Sequence, residues 1–149
     1  MSKLIPLLLL LLISTVSISQ VKTGSTKIDP TGTYALVTHD TDKNYGGDIY
    51  VKLIQKSKIA IALYIGMGGI AENNGTLNNT LQFKNNHAIF KTKWDSTCTI
   101  IFKFTSKGIW VIQKAADPNF ECGFGHAVYA DGYYRKVSSK RPSDKDLKL

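Results

Sequence analysis

From Thr31 to Tyr134 the chain repeats one pattern, in which short runs of β-branched and aromatic residues are separated by turn-forming residues. Short strands at regular spacing, with Gly, Asn and Asp between them, are typical of an all-β sandwich or barrel. We find no convincing amphipathic helix, because the apolar residues follow a period of about two rather than the period of a helix. The pattern therefore predicts an all-β domain.

About eight antiparallel strands are expected from this pattern. Tight turns between consecutive strands favour an up-and-down meander, and a meander of this size can close into a small barrel that leaves no exposed edge. A sandwich is the alternative. The predicted strands cover residues 31–38, 49–54, 58–65, 76–83, 88–93, 97–104, 109–114 and 126–134. Among the connections, Asn73-Asn74-Gly75 and Lys84-Asn85-Asn86 are predicted to be turns.

The N-terminus has the features of a secretory signal peptide over residues 1–19. Lys3 supplies a positive charge, Leu4 to Ile13 form an apolar run, and Ser17 and Ser19 are spaced as a cleavage site. The run is about half the length that spans a bilayer, which makes a retained anchor the weaker alternative. We therefore expect an exported protein, periplasmic or secreted, with no transmembrane segment. Residues 20–30 are expected to be a leader, residues 31–137 the barrel, and residues 138–149 a disordered basic tail.

Two cysteines, Cys98 and Cys122, lie in the exported part. In an oxidising compartment an even pair predicts a disulfide, which would contribute on the order of 3 kcal/mol by restricting the unfolded chain. The alternative is a reactive thiol with His126 as its base.

The net charge is +8, and removal of Lys3 with the signal peptide leaves +7 (18 − 11). This surplus favours an anionic surface as a partner, such as lipid headgroups, acidic glycans, nucleic acid or acidic proteins, although it is also compatible with a role in solubility alone. Nothing in the chain predicts specific nucleic-acid binding.

No motif predicts catalysis, a metal site or a cofactor. His39, Asp40 and Asp42 could form part of a metal site, but their role as turn-forming residues is the simpler explanation. The glycines from Gly66 to Gly69 lack the helix that a phosphate loop needs. Glu121 and Asp131 flank a turn, but acid–base chemistry on a glycosidic bond requires that the two carboxylates converge. We therefore expect a protein that is not an enzyme.

Aromatic residues are numerous for a chain of this length. Aromatic side chains at a barrel mouth stack on sugars or close over an apolar ligand, and the alternative is that they fill the core. The candidate ligand-binding residues are Trp94, Trp110, Tyr45 and Tyr64.

The segment from Cys122 to Tyr134 resembles the C-terminal strand of small secreted bacterial proteins that end in Cys-Gly-Phe-Gly, a valine strand and Asp-Gly-x-Tyr. The resemblance extends to Gly32-Thr33-Tyr34 and to Cys98, which matches the partner cysteine of those proteins. It implies a calycin-like barrel, similar in layout to lipocalins and to small periplasmic lysozyme inhibitors.

Two functions follow as hypotheses. The first is a non-enzymatic binding module whose barrel or barrel mouth holds a small apolar, aromatic or glycan ligand. The alternative is a protein–protein module, such as an inhibitor or immunity factor for an envelope hydrolase. A barrel whose interior is fully packed would favour the alternative.

Overall fold

The computed structural model describes residues 27–38, 45–67, 73–93, 97–116 and 121–148. Eight antiparallel strands close into one barrel, which confirms the predicted fold class. Each strand pairs with the next along the chain, and β8 returns to pair with β1. The strands are β1 (Gly32–Leu36), β2 (Tyr45–Gln55), β3 (Lys58–Met67), β4 (Asn73–Lys84), β5 (His87–Lys91), β6 (Thr99–Phe104), β7 (Gly108–Lys114) and β8 (Gly132–Ser138).

The inner face of the barrel is filled by the chain's own side chains. Alternation along each strand sends one set of residues inward, and these form a continuous apolar core that draws on all eight strands. Tyr34, Phe102 and Tyr134 are the largest of the fully buried side chains. Phe83 and Tyr34 both pack edge-on against Phe104, at centroid distances of 5.2 and 6.3 Å. A core of this kind occupies the space that a ligand-carrying barrel leaves open.

Both ends of the barrel are covered. At one end Pro30 is buried, and its carbonyl accepts a hydrogen bond of 2.7 Å from Tyr34 Oη. At the other end the segment from Glu121 to Asp131, here called the lid, buries Phe124, Val128 and Ala130. Tyr134 Oη donates to the carbonyl of Ala130 at 3.1 Å. A buried tyrosine hydroxyl therefore ties each covering segment to the barrel, and burial raises the pKa of both tyrosines.

The disulfide expected between Cys98 and Cys122 is present, with a Cα–Cα distance of 5.2 Å. It joins the residue before β6 to a 3₁₀ turn at Glu121–Gly123, which begins the lid. Both cysteines are buried. The bond therefore fixes the start of the lid against the core.

The last strand begins at Gly132 rather than at the predicted His126. Residues 126 and 127 form a turn, and Ala127 has a left-handed φ of 58°. Val128 and Ala130 alternate with polar neighbours as in a strand, but the N–H of Ala130 is bound by the side chain of Gln113 instead of by a neighbouring strand. Apolar alternation identifies an extended segment with one buried face, and it does not reveal what satisfies the backbone.

Asn73, Asn74 and Gly75 were expected to form a turn but lie within β4, paired with Met67, Gly66 and Ile65. Gly75 is needed there because the Phe124 ring of the lid lies 2.7 Å from the position of a Cβ atom. The Asn-Gly pair therefore serves close packing at this position. The turn at Asn85–Asn86, which was predicted, is present, with both residues at positive φ as in a two-residue hairpin.

The expected disordered tail is instead ordered up to Lys148. A short helix, α1 (Asp144–Leu147), begins at a capping box in which Ser143 and Asp146 bind each other's backbone N–H groups. Leu147 is buried against Ala60 and Ala62 on the outer face of β3. A single apolar residue and one cap are too weak a pattern to identify such a helix from sequence.

Candidate interaction surface

The structure separates the predicted ligand-binding residues. Trp110 and Tyr45 line one groove of about 480 Å³ beside the start of β8, together with Val37 and Tyr133. Tyr64 lines a different depression, next to the C-terminal tail. Trp94 lies outside the described residues, as do His39 to Asp42 and the predicted signal peptide.

Tyr45 is held by the lid. Its hydroxyl donates to the carbonyl of Tyr129 and accepts a hydrogen bond of 2.7 Å from the Tyr129 N–H. Burial is the main reason why the pKa of Tyr45 is raised. Tyr45 therefore forms the floor of the groove, while its polar atom is used within the fold.

Tyr64 is covered by the chain itself. Its ring packs edge-on against Tyr50 at 6.0 Å, and Lys148 Nζ lies 4.7 Å from its centroid. Lys52 also forms an ion pair with Asp144 of α1. The tail thus occupies the outer face of β2 and β3 at the place where a ligand was expected to contact Tyr64.

The outer face of strands β5 to β8 carries a different arrangement of apolar residues. Paired residues on neighbouring strands point to the same face, so the pairs Ile89↔Ile101 and Ile101↔Ile112 form one row across three strands. A second row runs from Trp110 to Tyr133 and on to Val37, whose N–H donates to the Tyr133 carbonyl. Val137 lines a neighbouring groove together with Tyr133. With Val137 included, these residues form the apolar patch: Val37, Ile89, Ile101, Trp110, Ile112, Tyr133 and Val137.

The apolar patch contains most of the large apolar side chains that are exposed in the described part of the chain. Trp110 is 53% exposed, Ile89 50%, Val37 38% and Val137 59%. Outside the patch, the same degree of exposure is found at Ile54 on β2, at 39%. Clustering of this kind marks an interaction site more often than single exposed residues do.

Trp110 and Tyr133 are positioned by contact with each other. Their ring centroids are 4.9 Å apart, with the planes tilted by 42°. Gly108 makes room for this pair, since a Cβ atom there would lie 2.7 Å from Tyr133 Oη. The exposed Arg135, which pairs with Gly108, stands beside them on the same face. Trp, Tyr and Arg are the residues that contribute most of the binding energy in protein interfaces.

The strands that carry the patch have a single sign of charge. Strands β5 to β8 contain five basic residues and no acidic residue, whereas β1 to β4 contain Asp48 as well as basic residues. The carboxylate of Asp131, just before β8, lines the same groove as Trp110 and Tyr133 and accepts a hydrogen bond of 2.9 Å from the N–H of Gln113. The basic residues on these strands are Lys91, Lys103, Lys114, Arg135 and Lys136.

Sequence reasoning identified Trp110 but missed most of its neighbours. Ile89, Ile101 and Ile112 were not assigned to any site, although each alternates with buried residues along its strand. The register between strands brings them together, and that register cannot be read from the spacing within one strand. Mixed apolar and basic residues on one face of successive strands are the signal that the sequence offers.

Comparisons of the chain with protein-family models, with curated proteins and with solved structures found no match. Among the described residues, His, Cys, Asp and Glu side chains form no group of three that could hold a metal ion. In the same residues, no helix is long and apolar enough to cross a bilayer.

Proposed function

We propose that this chain is an exported, non-enzymatic binding module that docks a protein with an acidic surface through the apolar patch on the outer wall of β5 to β8. The observation that carries the proposal is the exposed Trp110–Tyr133 pair on a barrel wall whose strands β5 to β8 carry four exposed basic residues. The proposal corresponds to the protein–protein alternative. A packed interior with both ends covered supports it over a ligand held inside the barrel.

The C-terminal tail covers one apolar surface of the barrel and leaves the apolar patch uncovered. Leu147 covers the small apolar surface formed by Ala60 and Ala62 on the outer face of β3. In the described structure no corresponding segment covers Trp110 or Ile89, which are about half exposed. Burial of apolar surface stabilises a complex by about 25 cal/mol per Å², so a partner that covers these two residues would gain binding energy.

The charge of the wall indicates the chemistry of the partner. Lysine and arginine on strands without carboxylates repel a basic surface and attract an acidic one. Rim charges of this kind increase the association rate and make it depend on ionic strength, because salt screens them. An acidic protein surface with an apolar centre is therefore the complement of the apolar patch and its basic rim.

The test is capture of envelope proteins from the source cells by the tagged mature chain and by two matched variants. Trp110→Ser removes the centre of the patch, and Ile54→Ser removes an exposed large apolar residue outside it. We expect the wild type and Ile54→Ser to retain the same stoichiometric acidic protein, and Trp110→Ser to lose it. Retention by Trp110→Ser at the wild-type level would contradict the proposal, provided that circular dichroism shows all three proteins folded.

A further inference from the structure

The barrel wall opens between β4 and β5. Strand β4 pairs with β3 along its length, from Gln82 to Asn73. In contrast, the described residues of β4 and β5 pair at two positions, Phe83↔Ala88 and Lys84↔His87, next to the hairpin turn. Beyond these pairs the two strands diverge and leave a cleft of about 330 Å³. This opening is here called the seam.

One edge of β4 faces the seam without a ladder to β5. The N–H of Phe83 donates to the carbonyl of Ser57 at 2.8 Å, so the odd-numbered residues of β4 direct their backbone toward β3. Alternate residues of an antiparallel strand direct their N–H and C=O groups to opposite neighbours. The even-numbered residues therefore direct theirs into the seam, and they are here called the β4 edge: Thr76, Asn78, Thr80 and Gln82.

The cleft behind this edge has an apolar floor and polar walls. Leu77, Phe90 and Cys122 are buried at its base. Asn79 belongs to the inward face, because it pairs with the buried Ile61, yet it is exposed where the wall opens. Thr92, also on the cleft wall, is the one buried polar residue of the described core. The inward face thus becomes polar at the seam.

The charge at the seam is positive. Lys91 and Lys93 are both exposed and both line the cleft. None of the described residues that line it is acidic. An occupant with carboxylate side chains is therefore favoured over a basic one.

We propose that the seam binds an extended, acidic peptide segment of a partner protein, which adds to the β4 edge as an extra strand. Backbone hydrogen bonds to the β4 edge supply affinity in this mode, and alternate side chains that enter a pocket supply specificity. An apolar side chain of the segment fits the floor at Leu77 and Phe90, while its acidic neighbours face Lys91 and Lys93. This site lies in the wall rather than on the apolar patch, and it stands or falls independently of the proposed function.

Amide hydrogen exchange of the free protein, resolved by residue in NMR spectra, tests whether the edge is free. The amides of Asn78 and Thr80 should exchange at least about tenfold faster than those of their neighbours Asn79 and Leu81, which face β3. Equal protection of odd and even positions would overturn the proposal, because the edge would then already be paired.

Strand addition is tested with two short acetylated peptides, one alternating glutamate with valine and the other alternating lysine with valine. We expect the glutamate peptide to slow exchange at the even positions from Thr76 to Gln82 by about tenfold, and the lysine peptide to leave them unchanged. Protection by neither peptide would overturn the proposal. Shifts confined to Phe90, Cys122 and Gly123, without protection of the edge, would also overturn it, since they would show a side chain or small molecule in the cleft and no added strand.

A pair of variants separates backbone pairing from electrostatic adsorption. Thr80→Pro removes an edge N–H while leaving the ladder to β3 intact, because proline is tolerated where the N–H of a strand faces outward. Thr80→Ala retains the N–H and is the matched control. We expect the proline variant to lose at least about tenfold in affinity for the glutamate peptide and the alanine variant to bind as the wild type does. Equal affinity of the two folded variants would contradict strand addition. Unchanged fluorescence of Trp110 during these titrations, measured in a Trp94→Phe background, would show that the seam, not the apolar patch, is occupied.

Discussion

The two buried tyrosine hydroxyls give the sharpest prediction about the barrel's closed ends. Tyr34→Phe removes a hydrogen bond of 2.7 Å to Pro30, and Tyr134→Phe removes one of 3.1 Å to Ala130. Each substitution deletes one oxygen atom and leaves a carbonyl without that donor. The shape of the core is otherwise unchanged, so no large cavity contributes to the effect.

The expected loss follows from the burial of the groups. A hydrogen bond between neutral groups contributes about 1 kcal/mol net, and a buried carbonyl left unsatisfied adds a desolvation penalty. Because the Tyr34 bond is the shorter one, we expect about 2 kcal/mol for Tyr34→Phe and about 1 kcal/mol for Tyr134→Phe. These are large fractions of the roughly 5–15 kcal/mol that stabilises a typical domain.

Urea unfolding followed by circular dichroism is the assay. The midpoint should fall while the dependence of the free energy on urea stays constant, since the same surface is exposed on unfolding. Tyr133→Phe, on the outer face, is the matched control and should change stability by less than about 0.5 kcal/mol. If Tyr34→Phe unfolds at the wild-type midpoint, the hydroxyl does not anchor Pro30 and the argument for the closed end fails.

Three further predictions follow from the same structure. Burial raises the pKa of Tyr34 and Tyr134, so the folded state holds these protons more tightly than the unfolded state. The contribution of these groups to the free energy of unfolding should therefore be constant below about pH 10 and fall above it by about 1.4 kcal/mol per pH unit for each tyrosine. A free energy of unfolding that stays flat to higher pH would contradict this. Leu147→Ala removes three buried carbon atoms, worth up to about 2.4 kcal/mol of docking energy, so trypsin should cleave after Lys145 faster than in the wild type. Equal cleavage rates would show that Leu147 does not hold the tail. Replacing Cys98 and Cys122 together by alanine should lower the free energy of unfolding by about 3 kcal/mol, because the disulfide links residues 24 apart in sequence. A loss below about 1 kcal/mol would show that the disulfide hardly constrains the unfolded chain.

The architecture was largely predictable because it depends on local signals. The spacing of apolar runs and turns predicts eight strands, and the even cysteine pair predicts the disulfide that the structure contains. The predictions were wrong for segments in which a side chain, rather than a neighbouring strand or a turn, determines the local structure. At Ala130 a Gln113 amide replaces a ladder bond, and at Gly75 the Phe124 ring requires a glycine that sequence reasoning assigned to a turn.

The candidate site was predictable in part. Trp110 was identified as a candidate ligand-binding residue, but its partners come from four other segments, and their grouping depends on strand register and on the curvature of the closed barrel. Tyr64 was expected to bind a ligand and is covered by a tail that was expected to be disordered. Local patterns do not encode contacts between residues so distant in sequence.

The most direct test of the proposed docking surface is hydroxyl-radical footprinting of the chain, alone and in complex with an acidic protein recovered in the capture experiment. Oxidation of an exposed side chain falls when a partner covers it. We expect strong protection of Trp110 and Tyr133 in the complex and unchanged oxidation of Ile54, which is exposed on β2. Oxidation of Trp110 at the same rate in the complex as in the free protein would show that the apolar patch is not the docking surface.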